Sequence, residues 1–120
     1  MTKFRIPQKG DIFLINPNPQ SGREMKDTHR FVVITPKEIN QLGLAMTVPI
    51  TSGSFFSRAK GLTVSITGHQ TTGVAVCNQV RTFDIEERIK NKTAKYIETL
   101  DTYIIDEIVL KVISIIDPAL

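Results

Sequence analysis

Leu62-Thr63-Val64-Ser65-Ile66-Thr67 alternates apolar and polar side chains at every step. A period of two belongs to an extended strand with one buried face and one wet face. This stretch makes the chain a β protein, and its neighbours on both sides extend the pattern. Upstream, Leu44, Met46, Val48 and Ile50 alternate with smaller or polar residues, which predicts a strand from Leu44 to about Thr51. Downstream, Gly73–Cys77 (GVAVC) and Val80–Phe83 are two further strand candidates. Phe31–Thr35 (FVVIT) is apolar on consecutive positions, as suits a central strand covered on both faces, and Pro36 ends it. Asp11–Asn16 (DIFLIN), between Gly10 and Pro17, is a short apolar run that reads as the first strand.

The joints between these runs are polar. Pro17–Met25 (PNPQSGREM) is rich in Pro, Gly, Asn and Ser, the composition of an exposed loop. Ser52–Gly61 (SGSFFSRAKG) is a long loop carrying two adjacent aromatics. After Asp84 the period changes, and the charged stretch Glu86–Lys95 predicts a helical turn and a loop. From Thr102 to Asp117, Ile104, Ile105, Ile108, Val109, Val112, Ile115 and Ile116 recur at spacings of three and four, which puts them on one helix face. Thr99 or Asp101 can serve as its N-cap, and Pro118 follows its end. β-Branched side chains are stiff in helices, so tertiary packing must hold this one. The expected architecture is mainly β with a C-terminal α-helix: a small twisted antiparallel barrel with the helix packed on it, in a single domain spanning 1–120.

Composition narrows the class. At 120 residues the chain can bury one core, and 41% apolar with 22% charged residues argues against disorder. Its apolar runs are too short to cross a bilayer, so no membrane association is expected. Met1–Gly10 is polar and basic with no apolar core, so no secretory leader is read there. A single cysteine, Cys77, cannot form an intramolecular disulfide. A cytoplasmic protein is the expectation. The net charge of +3 is unevenly spread. Residues 1–96 hold fourteen Lys/Arg against seven Asp/Glu, whereas residues 97–120 hold Lys111 against five acids. A basic body with an acidic end fits a polyanionic partner; it also fits an ordinary solubilising surface.

Chemistry must come from scattered side chains. His29 and His69 are far apart, and nothing around Cys77 has metal-ligand spacing, so no metal is expected. No phosphate-binding glycine loop or nucleophile elbow occurs, so no cofactor is expected either. What remains are Glu24, His29 and Arg30 in or just after the first loop, Thr51 and Ser52 at a strand end, and Asn78, Gln79 and Arg81 around a break between strands. RNA cleavage can proceed with such groups alone, because the RNA supplies its own 2′-hydroxyl. A protein must then move two protons and stabilise charge at phosphorus. Histidine, with a free pKa of about 6.5, serves either proton role. Arginine grips phosphate through a planar fork of donors. Spacing alone does not single out a nuclease: His29 also reads as an ordinary residue where a strand begins, and Arg58, Lys60 and Arg81 as solvated charge. His69 and Cys77 read as structural.

Five segments in order carry a resemblance. They are Gly10-Asp11-Ile12, then Asn18-Pro19-Gln20-Ser21-Gly22-Arg23-Glu24, and Val32-Val33-Ile34-Thr35-Pro36. Pro49-Ile50-Thr51-Ser52-Gly53 with Phe56-Ser57-Arg58-Ala59-Lys60-Gly61 is the fourth, and Gly73-Val74-Ala75-Val76-Cys77-Asn78-Gln79-Val80-Arg81-Thr82 the fifth. Together they span nearly the whole chain, which resembles the MazF/PemK toxins, with the ChpB-like branch nearest. The resemblance implies an SH3-like barrel, a homodimer, and metal-independent, sequence-selective cleavage of single-stranded mRNA to a 2′,3′-cyclic phosphate. It also implies an antitoxin partner whose disordered, acidic tail occupies the RNA groove.

Carried over by position, Thr51 stands on the active-site threonine, Ser52 follows it, and Glu24 matches a loop glutamate. The family reads Arg-Pro at the start of the second strand. A gapless alignment puts His29 on that Arg, and a shift of one residue puts Arg30 there. Some PemK-like members use Arg and Asp in the last motif, where this chain has Val76 and Asn78. Asn78 cannot be a base, though the ChpB-like branch also has Asn at this position. The resemblance therefore implies His29, Arg30 and Thr51 as the catalytic set, converging in one basic cleft. It implies Asp11, Glu24, Ser52, Phe55, Phe56, Arg58, Lys60, Asn78, Gln79 and Arg81 as RNA-binding residues; Phe55 and Phe56 read either as base-stacking rings or as a loop anchor. The competing expectations are a non-catalytic toxin on the same fold that poisons a topoisomerase, as the CcdB group does, and a degenerate relative that only binds an antitoxin.

Overall fold

A computed structural model of the chain describes residues 5–17, 28–52 and 61–119. In chain order it holds β1 (Asp11–Ile15), β2 (His29–Val33), α1 (Lys37–Asn40), β3 (Ala45–Thr51), β4 (Thr63–Ile66), β5 (Gly73–Val76), β6 (Arg81–Phe83), α2 (Ile85–Lys90), β7 (Ala94–Thr99) and α3 (Thr102–Ile116). The strands pair antiparallel in the order β4-β5-β3-β2-β1-β7, with β6 also on β3. The two ends of that path meet where Glu98 of β7 accepts hydrogen bonds from the N–H groups of Gln70 and Thr71, in the turn between β4 and β5.

Alternation sorts the side chains into two cores. Ile12, Val32, Val48 and Ile50 point to the α3 side and pack with Val64, Ile66, Ile104, Ile105, Ile108 and Val112. Phe13, Ile15, Phe31, Val33 and Ala45 point the other way and pack with Phe83, Ile85 and Ala94. This two-sided burial is the reason Phe31–Ile34 is apolar without a break. On α3 the inward Ile104, Ile105, Ile108 and Val112 are buried. Each such burial is worth about 1.5–3 kcal/mol, enough to override the weak helix propensity of branched residues.

Several details differ from expectation. β2 runs His29–Val33, two residues earlier at each end than the expected Phe31–Thr35, so His29 is its first residue. Ile116, counted on the inner face of α3, is 72% exposed, because it sits on the last helical turn beyond the sheet. Asp101 is the N-cap of α3, but its side chain makes no capping bond and instead meets His69 Nε2 at 3.2 Å. α2 accounts for the helical turn expected after Asp84. β7 was not anticipated: Ala94–Thr99 (AKYIET) shows no clean alternation, and it forms a strand because β1 offers a free edge from Asp11 to Ile15.

β3 is the strand that shapes the site. One edge pairs with β2 from Thr47 to Ile50. The other edge is shared: Ala45–Thr47 pair with β6, and Ile50 and Thr51 pair with β5. Val48 and Pro49 lie between, where Pro49 has no N–H to give a neighbouring strand. The sheet therefore splits between β5 and β6 beside Pro49.

Candidate functional site

A cleft of about 380 Å³ opens at that split. It is lined by Pro17, His29, Phe31, Pro49, Ile50, Thr51, Val76, Gln79 and Arg81. His29 and Phe31 stand two apart on β2, and Pro49 and Thr51 two apart on β3, so each pair projects to one face of the sheet. Phe31 lies opposite Pro49 in the register. Gln79 and Arg81 come from the segment that crosses from β5 to β6.

Specific contacts hold these residues in place. The buried Thr47 hydroxyl donates to the Arg81 carbonyl at 2.9 Å, which fixes the start of β6. The Arg81 guanidinium sits over the Phe83 ring, 5.0 Å from its centroid. Phe83 meets Phe31 edge to face at 5.0 Å, and Phe31 meets the His29 ring in the same manner at 6.5 Å. A row of rings thus links the imidazole to the guanidinium, with His29, Phe31 and Arg81 lining the cleft and Phe83 bracing Phe31 and Arg81 from outside it. Gly73 (φ +133°) sets the depth of the Thr51 side: a Cβ there would collide with the Thr51 carbonyl, so only glycine lets β5 approach so closely.

The arrangement brings together an imidazole (His29), a guanidinium (Arg81), a hydroxyl (Thr51) and an amide (Gln79) on apolar walls, residue types able to transfer a proton and to hold a phosphate. A larger cavity of about 620 Å³ lies against α2, lined by Thr82, Phe83, Asp84, Glu87, Arg88, Asn91 and Thr93. Two of its charged groups are already engaged: Asp84 caps α2 by accepting from the Glu87 N–H, and Arg88 donates to the Asn16 carbonyl. The smaller cleft is the better candidate for chemistry because its polar groups converge.

Arg30 departs from expectation. Alternation on β2 turns it away from His29, onto the face of Val32 and opposite Ile50, and it does not line the cleft. Among the described residues, the cation that lines the cleft is Arg81, at the start of β6. Asp11 also departs. It is fully buried at the far end of β1, opposite Thr99. Arg5 holds it through Nε at 2.8 Å and Nη2 at 3.0 Å, and the Thr99 hydroxyl and the Gln8 N–H complete its acceptor sites. Its carboxylate is taken up by that network and does not line the cleft. Ser52 and Asn78 are exposed beside the cleft but do not line it. Glu24, Phe55, Phe56, Arg58 and Lys60 lie outside the described residues.

His69 and Cys77 are engaged away from the cleft. His69 bridges Glu98 (Nδ1, 3.3 Å) and Asp101. Burial pushes the Cys77 thiol up to about 11, so it is held as the unreactive thiol. Pro17, Phe31, Pro49, Ile50 and Val76 were missed as cleft walls; the one signal for them was a proline inside the β3 run. No helix among the described residues is long and apolar enough to cross a membrane.

Comparison with known proteins places this geometry. The family model for PemK-like, MazF-like toxins of type II toxin–antitoxin systems matches residues 8–116. The chain is 35% identical to Endoribonuclease PemK of Escherichia coli over 96 residues, covering 78% of this chain and 72% of that protein. It is 31% identical over 120 residues to Endoribonuclease toxin ChpB of Escherichia coli (strain K12), covering 98% and 100%. Among solved structures, MazF (Form-I) from Deinococcus radiodurans superposes with a TM-score of 0.74 at 23% identity, over 94% of this chain and 98% of that one. A MazE-MazF complex (Form-II) from the same organism gives 0.75 at 23% identity, over 94% and 97%. These last two likenesses are of fold.

Proposed function

The chain belongs to the PemK-like, MazF-like toxins of type II toxin–antitoxin systems, and on that footing we propose that it is an endoribonuclease that cuts single-stranded mRNA in the cytoplasm. The observation that carries the reading is the convergence of His29, Thr51, Gln79 and Arg81 on one cleft, from three separate parts of the chain. These groups suffice for transesterification by the RNA itself. The 2′-oxygen attacks phosphorus as its proton is removed, and the bond to the 5′-oxygen breaks as that oxygen gains a proton. The products are a 2′,3′-cyclic phosphate and a 5′-hydroxyl, and no metal takes part.

Among the described residues that line the cleft, His29 is the group suited to transfer a proton. Arg81 holds a non-bridging phosphate oxygen and offsets the charge that grows there, with Thr51 and Gln79 as further donors. The ring-lined wall formed by Phe31 and Pro49 offers an apolar floor to a base or ribose. A homodimer and a cognate antitoxin complete the picture. The antitoxin's acidic tail competes with RNA for this cleft, in keeping with the surplus of seven positive charges over residues 1–96.

Incubation of the purified protein with an end-labelled RNA pool in excess chelator tests the proposal. Fragments ending in 2′,3′-cyclic phosphate are expected. RNA left intact at high protein concentration overturns it, and leaves the topoisomerase-poisoning and antitoxin-binding alternatives.

A further inference from the structure

Arg88, on α2, touches both supports of the cleft without lining it. It is half-buried, and its Nη1 donates to the Asn16 carbonyl at 2.9 Å across 72 residues of sequence. Asn16 precedes Pro17, a wall of the cleft. The Asn16 N–H in turn donates to the Thr93 carbonyl at 3.0 Å, and the Thr93 N–H and hydroxyl both donate to the Arg88 carbonyl. The end of β1 is thereby gripped from two sides. The Arg88 guanidinium also sits over the Phe83 ring at 4.8 Å, sharing that ring with Arg81 at 5.0 Å.

We propose that Arg88 is a positioning residue for the cleft: it clamps the Asn16–Pro17 wall and, through the shared Phe83 ring, holds the Arg81 guanidinium toward the bound phosphate. Two guanidiniums on one ring repel each other. Burial, and after it the charge of Arg81, hold Arg88 below its ordinary value, while Asp84 acts in the opposite sense. Arg88 is anchored by its bond to Asn16, whereas Arg81 forms no ion pair among the described residues. Arg81 is the partner that yields, and it yields toward the cleft. Direct contact of Arg88 with phosphate is disfavoured, since Asp84 and Glu87 stand in the same cavity. Displacement of a cleft group by about 1 Å can cost on the order of 10²-fold in rate, so this anchor belongs to function as well as to folding.

The inference rests on the ribonuclease reading. Its test is steady-state cleavage of a short fluorogenic RNA by wild type, Arg88→Gln and Arg88→Lys across a range of salt concentrations. Arg88→Gln is expected to lower kcat by about 10-fold or more with KM within about threefold. Its log–log dependence of kcat/KM on salt should keep the wild-type slope. Arg88→Lys should fall between the two, because lysine reaches the Asn16 carbonyl but has no plane to stack. An unchanged kcat in folded Arg88→Gln overturns the proposal. So does a salt slope shallower by about 0.7, the signature of one lost phosphate contact on a single strand. Should Arg88→Gln fail to fold, a wild-type kcat in Arg88→Lys overturns it instead. Intact RNA with the wild type is a different failure, that of the ribonuclease reading itself.

Discussion

His29 and Arg30 are chain neighbours with opposite orientations, and the difference is testable. His29 faces the cleft and Arg30 the α3 side of the sheet. Replacing a proton-transfer group costs about 10²–10⁴-fold in rate. His29→Ala is therefore expected to slow RNA cleavage by that factor. Arg30→Ala should change it by less than about threefold once both proteins are matched for folded fraction. A single-turnover assay on one RNA decides; the reverse ranking would mean that Arg30 does the chemistry. Residue type alone could not separate the two, since either one can be aligned with the family arginine. Strand parity separates them, and parity depends on where β2 begins.

At the scale of elements, the joint between the turn after β4 and strand β7 carries a pH dependence. Burial by itself would raise the Glu98 carboxyl. Hydrogen bonds from Thr71, Gln70 and His69 outweigh it and hold the group below its ordinary value of 4.5. A carboxyl depressed in the folded chain adds stability above the unfolded value and loses it as pH falls through the folded one. Wild type should thus lose stability below about pH 4.5 more steeply than Glu98→Gln, whose amide does not titrate. Urea midpoints between pH 3 and pH 7 measure this, and parallel pH curves for the two proteins would contradict it. Element existence was largely legible in the letters: alternation marked β3, β4 and β5, and the three-and-four spacing marked α3. β7 was not legible, because it is held by the edge of β1 and not by a pattern of its own. α1 is four residues long, below the length at which periodicity can be read.

At the scale of the molecule, α3 leaves Tyr103, Leu110 and Ile116 exposed at 68%, 65% and 72%, and the segment after α1 leaves Leu42 and Leu44 exposed at 80% and 57%. Uncovered apolar groups of this size favour association. A homodimer is the expected state, and sedimentation of a monomer at micromolar concentration would refute it. The candidate site shows the same division of labour between local and global order. His29, Thr51, Gln79 and Arg81 could all be nominated from the chain, since histidine, arginine and hydroxyl side chains at strand ends and breaks are what phosphodiester chemistry requires. Which of them meet could not. Asp11 was nominated beside them, and it is spent on Arg5 and Thr99 at the other end of β1. The amino-acid order alone determined the β class, the closing helix and the two-sided burial of β2, because side-chain period is a local property of four to fifteen residues. Tertiary structure alone decided that, among the described residues, Arg81 and not Arg30 lines the cleft. That outcome needs the split of β3's edge at Pro49 and the pairing of β3 with β6, from Ala45–Phe83 to Thr47–Arg81, which no local period encodes.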